Sequence, residues 1–346
     1  MEKETENMSF FHLIYNTISF LVFCVKIIVE RVVRTFIPVK YQMKDISGEV
    51  ALVTGGGGGL GRLLALRLAN LGVIVVVWDI NQEGIEETVK LVQAAGGTCY
   101  GYVCDLCNRE DIYKKAALLR EKVGKVSILI NNAGVVNGMK FCETPDNLLK
   151  RTIDVNILSH FWTVKAFLPA MMESNKGHIV SIASMAGFAG IPKLVDYCTS
   201  KHAVLGFDEG LRIELEYEGY DNINTTVICP YFLRSTAMFG NRYSGSLPKL
   251  SPNDVAEITV MSLRCNRKLV MIPNFFHFVV PFKWIFPWPC VSKLCRTMVK
   301  DILPNYEAND KSTTSNKTTE IPVKDQNDAA IRQQLTRHIS SSEREP

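Results

Sequence analysis

The stretch VALVTGGGGGLG at residues 50–61 decides the fold of this chain. Its first five residues, Val50–Thr54, are mostly apolar and β-branched, as in a buried strand, and a helical pattern over Arg62–Leu71 follows. The glycines between them permit a tight turn that a pyrophosphate can approach closely, and a helix that begins near Leu60 points its free N–H groups at the phosphates. A glycine run alone can also be a flexible linker, but its place between strand and helix predicts a dinucleotide-binding turn. The residues predicted to hold the cofactor at this turn are Gly55, Gly59, Leu60 and Gly61.

Beyond this turn the chain alternates short apolar runs with longer amphipathic ones. Helical patterns such as Gly84–Ala95 lie between the apolar runs. This alternation predicts an α/β fold, a doubly wound parallel sheet of the Rossmann type, in a single domain over residues 45–267. The predicted strands are Val50–Thr54, Val73–Asp79, Thr98–Asp105, Ser127–Asn131, His178–Ser184 and Asn224–Cys229.

A carboxylate stands at the end of the second predicted strand. Asp79 lies 24 residues after Gly55, where it can accept hydrogen bonds from both ribose hydroxyls of an adenosine and would repel a 2′-phosphate. The glycine run contains no Arg or Lys that would neutralise such a phosphate, although Arg62 follows it. The sequence therefore favours NAD(H) over NADP(H). The alternative role for Asp79 is that of a solvated strand-end carboxylate.

Three polar side chains suit acid–base chemistry on an alcohol. Tyr197 and Lys201 are four residues apart, which places them on one helix face, and Ser184 lies 13 residues before the tyrosine at the end of a predicted strand. A phenol is a poor base at neutral pH, but a neighbouring ammonium and an oxidised nicotinamide would stabilise phenolate. The serine hydroxyl can hold the substrate oxygen against the phenol. A lone YxxxK is common by chance, whereas its combination with the glycine turn and the serine is specific.

These motifs together resemble the short-chain dehydrogenase/reductase family, in its membrane-bound retinol and 17β-hydroxysteroid dehydrogenase branch. The resemblance covers about residues 45–270, and TGxxxGxG is present at Thr54–Gly61. It implies that Ser184, Tyr197, Lys201 and Asn156 are the catalytic residues, with the asparagine relaying protons through water and the lysine also holding the nicotinamide ribose. It further implies adenine contacts from Asp105 and Leu106, and a cofactor border formed by the NNAG motif that contains Asn132.

The sequence departs from the family pattern after the sixth predicted strand. A Pro-Gly pair followed by a carboxamide-binding Thr is common in the family, whereas residues 230–236 read PYFLRST. An aromatic residue after the proline is usual in the retinol and 17β-hydroxysteroid branch. Ser235 stands where the threonine is expected and can still donate its hydroxyl to the cofactor. Arg234 is unexpected beside a positively charged ring, and it could attract a phosphate.

Composition excludes several classes of protein. The chain has 346 residues and a formal net charge of +4, with no dense basic patch interleaved with aromatics, so nucleic acid is not an expected partner. Its ten cysteines include one lone CxxC, Cys104 and Cys107, without a second pair or a nearby His cluster. A metal site or a disulfide framework needs more ligands or more regular pairing, so reduced thiols on the cytosolic side are expected.

Residues 1–44 resemble a membrane anchor. An apolar run of about 20 residues, from Phe10 to Val29, is close to the length that crosses a bilayer, and Arg31, Arg34 and Lys40 follow it. This charge placement favours a retained anchor with the catalytic domain facing the cytosol. Polar residues within the run leave a helix lying in one leaflet as a competitor to a spanning helix, and a buried helix of the globular domain is the third alternative.

The end of the chain divides into two segments. Residues 268–304 are rich in Phe, Trp and Pro, and the prolines argue against a continuous spanning helix. Trp284 and Trp288 beside lysines are typical of a bilayer interface, so this segment is predicted to be a substrate lid, a membrane-contact region or both. Residues 305–346 form a polar tail with few apolar side chains, which predicts disorder.

The expected activity is reversible oxidation of a lipophilic alcohol by hydride transfer to nicotinamide. Such a substrate would partition into the membrane beside the site, at the endoplasmic reticulum or on a lipid droplet. Retinol and retinal are the favoured pair by resemblance, and a 17β-hydroxysteroid is the alternative. Further alternatives are a non-catalytic droplet scaffold that retains the fold and a soluble sugar or acyl-chain reductase. A homodimer is one of the arrangements that the sequence leaves open.

Overall fold

A parallel sheet of seven strands forms the centre of the protein. The computed structural model describes residues 2–234, 243–245 and 247–302. In chain order the strands are β1 Val50–Thr54, β2 Ile74–Asp79, β3 Cys99–Val103, β4 Ile128–Asn131, β5 Gly177–Ile182, β6 Ile223–Pro230, β7 Tyr243–Gly245, β8 Leu269–Ile272 and β9 Val299–Ile302. The sheet has the order β3-β2-β1-β4-β5-β6-β8, and β7 pairs antiparallel with β9 outside it. This order reverses between β1 and β4, which opens a crevice at the carboxyl ends of the strands.

Helices cover both faces of the sheet, which confirms the predicted doubly wound fold. The helices are α1 Glu2–Phe36, α2 Val39–Gln42, α3 Gly59–Ala69, α4 Gln82–Ala94, α5 Arg109–Lys122, α6 Asp146–Ile153, α7 Ser159–Ser174, α8 Val195–Tyr217, α9 Pro252–Arg264, α10 Phe276–Val279, α11 Phe282–Ile285 and α12 Trp288–Met298. One apolar core joins the sheet to α3, α4 and α9, and a second joins the other face to α5, α7 and α8. Alternate strand residues supply the two cores because successive side chains point to opposite faces.

The observed strands depart from the predicted ones mainly at their ends. The first strand has the predicted bounds, whereas β5 ends at Ile182 and leaves Ser184 two residues beyond it. That serine instead caps a short 3₁₀ turn, Met185–Gly187, through a hydrogen bond that its Oγ accepts from the N–H of Ala186 (3.1 Å). A side-chain cap of this kind ends a strand where hydrophobic pattern alone would continue it.

The strand at one edge of the seven-stranded sheet, β8, lies within the segment that the sequence predicts to be a lid. Leu269–Ile272 pairs in parallel with the end of β6, so the sheet takes in four residues of the segment 268–304. The sequence did not predict this strand, because a short apolar run that continues into a longer aromatic run has no periodicity that marks where a strand ends. The chain then passes from this edge strand into the short helices α10 and α11 and the helix α12.

The N-terminal helix α1 is exposed and apolar. Within it, His12–Phe36 has a mean hydropathy of 1.8, is long enough to cross a membrane, and buries none of its residues against the rest of the protein. Large apolar side chains such as Phe20 and Phe23 are more than half exposed. A core helix of a globular domain would bury such side chains, so this helix does not contribute to the core.

Candidate active site

One cavity of about 1520 Å³ occupies the crevice at the carboxyl ends of the strands. The glycine turn and Asp79 line one end of it, and Ser184, Tyr197 and Lys201 line its centre. The outer wall comes from α10, α11 and α12. The fold thus brings the glycine turn, Asp79, the Ser184–Tyr197–Lys201 set and the aromatic segment to a single cavity.

Two glycines make the turn after β1 possible. Gly55 has φ +64°, and a Cβ there would lie 2.9 Å from the Cα of Ala133. A Cβ on Gly61 would lie 2.1 Å from the carbonyl oxygen of Gly55, so only glycine lets the first turn of α3 pack against the end of β1. Asn132 fixes the same turn by donating Nδ2 to the carbonyls of Thr54 (2.9 Å) and Gly55 (3.2 Å).

The start of α3 fits a pyrophosphate. Gly58 is the N-cap and supplies no side-chain cap for the N–H groups of the first turn, and Gly58, Gly59, Leu60 and Gly61 all line the cavity. Free N–H groups and the positive end of an 11-residue helix therefore face the cavity. This arrangement is what the phosphates of a dinucleotide require.

Asp79 lies against the glycine turn at the end of β2. Its Oδ2 accepts from the N–H of Gly57 (2.9 Å) and its Oδ1 from the N–H of Asn81 (3.0 Å), so the carboxylate is fixed at the cavity wall. Arg62 lies between the glycine turn and α4: its guanidinium donates to the carbonyl of Gly57 (2.7 Å) and to Thr88 Oγ1 (3.0 Å), and it pairs with Glu87 (2.7 Å). The charge of Arg62 is thus paired with Glu87, whereas the fixed Asp79 carboxylate lines the adenosine end of the cavity.

The three predicted acid–base side chains meet in the centre of the cavity. Tyr197 is buried and hydrogen-bonded to the hydroxyl of Ser184. The Nζ of Lys201 lies 5.7 Å from the centroid of the Tyr197 ring and donates to the carbonyl of Ile182 (2.9 Å) at the end of β5. One turn of α8 separates tyrosine and lysine, so helix geometry fixes their relative position.

Burial shifts the pKa values of Tyr197 and Lys201 in opposite directions, and each shift favours the neutral form of its group. It raises the pKa of Tyr197 well above its ordinary value, and the hydrogen bond with Ser184 offsets only part of that rise. It lowers the pKa of Lys201 to about 8. The sequence predicted that the lysine ammonium would help to lower the pKa of the phenol; in the protein alone, desolvation of the phenolate is the larger effect.

Asn156 lies beside the acid–base residues rather than on the cavity wall. It is fully buried in a π-helical turn, Asp154–Leu158, that precedes α7. Its Oδ1 accepts from the N–H of Val135 (2.8 Å), and its Nδ2 donates to the carbonyl of Val135 (3.0 Å) and to Ser200 Oγ (3.0 Å). The amide therefore ties the π-helical turn before α7 to Ser200, the residue preceding Lys201 on α8.

The remaining predicted cofactor residues do not line the cavity in the described chain. Asp105 is exposed and accepts from the N–H of Cys107 (2.9 Å), while Leu106 is buried in the apolar core beneath α5 and α7. Ser235 lies outside the described residues. Arg234 is exposed, and its backbone N–H donates to the carbonyl of Leu250 (2.8 Å). The side chains of Asp105, Leu106 and Arg234 are therefore not among those that line the nucleotide end.

The aromatic segment supplies the outer wall of the cavity. Phe276, Phe282 and Trp288 line it, and Lys283 donates Nζ to the carbonyl of Phe188 (2.9 Å) in the loop before α8. Tyr231 donates its hydroxyl to the carbonyl of Met298 (3.0 Å) and so ties the end of β6 to α12. Sequence patterns did not point to the loop 188–194 as a wall, because it has no motif or periodicity of its own.

Comparison with known proteins places this arrangement in a family. The sequence profile described as "short chain dehydrogenase" matches residues 49–246. This chain belongs to that family. Among the dehydrogenases, human epidermal retinol dehydrogenase 2 is 44% identical over 70% of this chain and 80% of its own. Rat estradiol 17-beta-dehydrogenase 11 is 40% identical over 77% of this chain and 87% of its own.

Solved structures of short-chain dehydrogenases share the fold. A short-chain dehydrogenase/reductase from Burkholderia phymatum in complex with NAD has a TM-score of 0.64 at 28% identity, covering 70% of this chain and 95% of its own. A metagenomic short-chain oxidoreductase in complex with NADP has a TM-score of 0.57 at 27% identity, covering 66% and 96%. This short-chain dehydrogenase is therefore an oxidoreductase that acts on the CH–OH group of a small molecule with a nicotinamide cofactor.

A substitution at Gly61 tests the nucleotide end. We expect Gly61→Ala to weaken NADH binding by about tenfold or more, because the new Cβ forces the turn away from Gly55 and displaces its N–H groups. Gly210→Ala is the matched control, since that helical glycine is exposed and a Cβ there meets nothing within 4 Å. Titration of NADH fluorescence measures both variants. Wild-type affinity in Gly61→Ala would contradict the assignment.

Proposed function

We propose that this protein is an NAD-dependent dehydrogenase that interconverts a lipophilic alcohol and its aldehyde or ketone, with retinol and retinal as the favoured pair. The observation that carries the proposal is the single cavity in which Ser184 and Tyr197 lie between the glycine turn and an apolar aromatic wall. A substrate held by that wall has its hydroxyl at the phenol and its carbinol carbon towards the nucleotide end.

The side chains divide the chemistry between them. Ser184 holds the substrate oxygen by a hydrogen bond, and Tyr197 takes the hydroxyl proton during oxidation and returns it during reduction. When bound, the nicotinamide supplies the hydride acceptor or donor and, in its oxidised form, a positive charge that lowers the pKa of the phenol. Lys201 adds its ammonium from one helical turn away, and Asn156 holds the adjoining helix in place.

The fixed carboxylate favours NAD over NADP. Asp79 lies at the adenosine end of the cavity, where an additional 2′-phosphate would meet a negative charge. Arg62, the cation that follows the glycine run, is paired with Glu87 and donates to Thr88 and to the carbonyl of Gly57. The short-chain dehydrogenase structures described above include both an NAD and an NADP complex, so the family alone leaves this choice open.

Retinol and a steroid are the two substrate candidates. The relative named for retinol shares 44% identity with this chain, and the one named for estradiol shares 40%. The apolar aromatic wall accepts either compound. A non-catalytic scaffold is disfavoured because the hydrogen-bonded Ser184–Tyr197 pair and the neighbouring Lys201 ammonium are intact.

Two exposed apolar surfaces suit a membrane. The helix α1 exposes its apolar side chains, and the cavity-lining aromatic segment exposes Phe278 (75%), Trp284 (81%) and Trp288 (71%). Exposed aromatics beside Lys283 are typical of a lipid–water interface. We propose that both surfaces contact the endoplasmic reticulum membrane or a lipid-droplet monolayer from the cytosolic side, so that substrate enters the cavity from lipid.

Replacing the phenol tests the catalytic proposal. We expect Tyr197→Phe to lower kcat for retinol or estradiol oxidation by about 10²–10⁴-fold while NADH affinity is retained, because only the proton acceptor is removed. Tyr217→Phe is the control, since this tyrosine lies on the same helix with 88% of its surface exposed. Turnover of Tyr197→Phe at the wild-type rate, or absence of turnover in the wild-type protein, would overturn the proposal.

The ratio of cofactor specificities tests the role of Asp79. We expect Asp79→Ser to lower kcat/KM for NAD by about tenfold and to raise it for NADP, because the repulsion of a 2′-phosphate disappears. Glu83→Gln, at an exposed acid in the first turn of α4, is the control. Structural damage alone would lower both values together, so an unchanged NAD/NADP ratio counts against this role.

Vesicle flotation tests the membrane surfaces. We expect the full chain to float with phosphatidylcholine vesicles, the chain lacking residues 1–36 to float weakly, and Trp284→Glu in that shortened chain to stay in solution, because each change removes exposed apolar surface. Ile213→Glu, at an exposed apolar residue on α8, is the control. Equal flotation of all variants would exclude both surfaces as membrane contacts.

A further inference from the structure

A carboxylate is buried directly beside Tyr197. Asp196 precedes this tyrosine on α8 and is only 8% exposed. Its neighbours Val195 and Tyr197 line the cavity, whereas its own carboxylate is directed towards α6. A charged group leaves water at a large cost in free energy unless hydrogen bonds replace its hydration, so a buried carboxylate outside the cavity calls for an explanation.

Two neutral donors hold this carboxylate. Its Oδ2 accepts from Nδ2 of Asn137 (2.7 Å) and from Oγ1 of Thr152 on α6 (2.9 Å). Asn137 also donates to the same threonine oxygen (2.9 Å), so the three side chains form one closed group, the Asp196 cluster. The single proton of the Thr152 hydroxyl is shared with the carbonyl of Leu148 (3.0 Å), which makes the amide of Asn137 the principal donor to Asp196.

The Asp196 cluster joins three elements that surround the site. Asn137 belongs to the segment that follows β4, and residues 132–134 of that segment line the cavity beside the glycine turn. Thr152 belongs to α6, and Asp196 belongs to the first turn of α8. The cluster therefore ties the helix that carries Tyr197 to the segment that borders the nucleotide end of the cavity.

The start of α8 depends on such a tie. Leu194, the N-cap residue, provides no side-chain hydrogen bond for the free N–H groups of the first turn. Helix ends fray, and Tyr197 is the third residue of this helix, so opening of the first turn displaces its ring. An acidic side chain in the first turn also stabilises a helix through its dipole, and Asp196 occupies such a position.

The other side of Tyr197 along the helix is already fixed. Its carbonyl accepts from Ser200 Oγ (2.7 Å), and this hydroxyl oxygen accepts from Asn156 Nδ2 (3.0 Å). The Asp196 cluster is the corresponding tie on the N-terminal side. Tyr197 is thus held from both directions along α8.

We propose that Asp196 is a positioning residue: its carboxylate, held by Asn137 and Thr152, sets the position of the Tyr197 phenol relative to the nucleotide end of the cavity. The proposal rests on the proposed function, because the position of the phenol matters only if it exchanges a proton with the substrate. A negative charge near a phenol disfavours phenolate, so the benefit of Asp196 comes from its hydrogen bonds and not from its charge. A carboxamide of the same shape can therefore take its place.

Substitutions within the cluster test the proposal through kcat. A misplacement of about 1 Å can cost about 10²-fold in rate, so we expect Asp196→Ala and Asn137→Ala each to lower kcat for alcohol oxidation by about 10–100-fold. NADH affinity is expected to stay within about threefold of the wild-type value, because the glycine turn is untouched. Both changes break the same hydrogen bond, so the double variant is expected to fall no more than about threefold below the slower single variant. Asp196→Asn retains an acceptor for Asn137 and is expected to keep kcat within about threefold of the wild type.

Asp208→Ala is the matched control. Asp208 is also a buried carboxylate on α8 (3% exposed), but it pairs with Arg212 and lies about three helical turns from Tyr197. We expect this variant to lower the melting temperature without lowering kcat per NADH-binding site by more than about threefold. Loss of stability and loss of positioning are separated in this way.

Hydrogen exchange provides a second readout that needs no substrate. The N–H of Cys198 donates to the carbonyl of Leu194 (2.7 Å) and so reports whether the first turn of α8 is closed. We expect this amide to exchange about tenfold or more faster in Asp196→Ala than in the wild type, and at a rate near the wild-type one in Asp196→Asn. Unchanged exchange in Asp196→Ala would show that the carboxylate does not hold this turn.

The kinetic outcomes are equally decisive. Wild-type kcat in Asp196→Ala overturns the inference, as does a kcat in Asp196→Asn as low as that of Asp196→Ala, or a loss of NADH affinity in step with kcat. If Asp196→Ala does not fold, Asn137→Ala and Asp196→Asn decide the comparison. If the wild-type protein oxidises no alcohol, the proposed function fails separately, and the exchange rate of the Cys198 amide alone decides whether Asp196 fixes the helix.

Discussion

The close approach of Gly61 to the carbonyl of Gly55 is the contact on which the rest of the site depends. It lets α3 begin directly after β1, with its N–H groups facing the crevice where the strand order reverses. The same turn is held by Asn132, the residue after β4, and by Asp79 at the end of β2. Three neighbouring strands are therefore fixed around one end of the cavity before any ligand is bound, which reduces the cost of ordering the site on binding.

Burial is the second constraint, because it disfavours the charged forms that the reaction needs: the phenolate of Tyr197 and the ammonium of Lys201. The pKa of Tyr197 is raised and that of Lys201 is lowered, both chiefly by desolvation. A phenol in this state remains protonated until a positive charge arrives beside it. We infer that proton abstraction is thereby coupled to occupancy of the nucleotide end.

Much of the fold could be predicted from sequence, because the glycine turn and the spacing of Tyr197 and Lys201 are local patterns with a direct geometric meaning. The end of β5 at Ile182 and the strand β8 could not, since a serine cap and a sheet edge depend on tertiary contacts. The direction of the Tyr197 pKa shift in the protein alone also required the burial of the ring. The juxtaposition of Asn131 and Ser181 had no signal in the sequence, because only the pairing of β4 with β5 brings them together.

The central claim is that one cavity brings the carbinol carbon of a lipophilic alcohol to a nicotinamide at the glycine turn. Transfer of a label tests it most directly. Membranes that contain the protein would be given NAD and retinol deuterated at the carbinol carbon, and the nicotinamide would be recovered and examined by mass spectrometry. The account predicts deuterated NADH in step with retinal. Retinal formed with unlabelled NADH, or no label transfer from either retinol or estradiol, would contradict it.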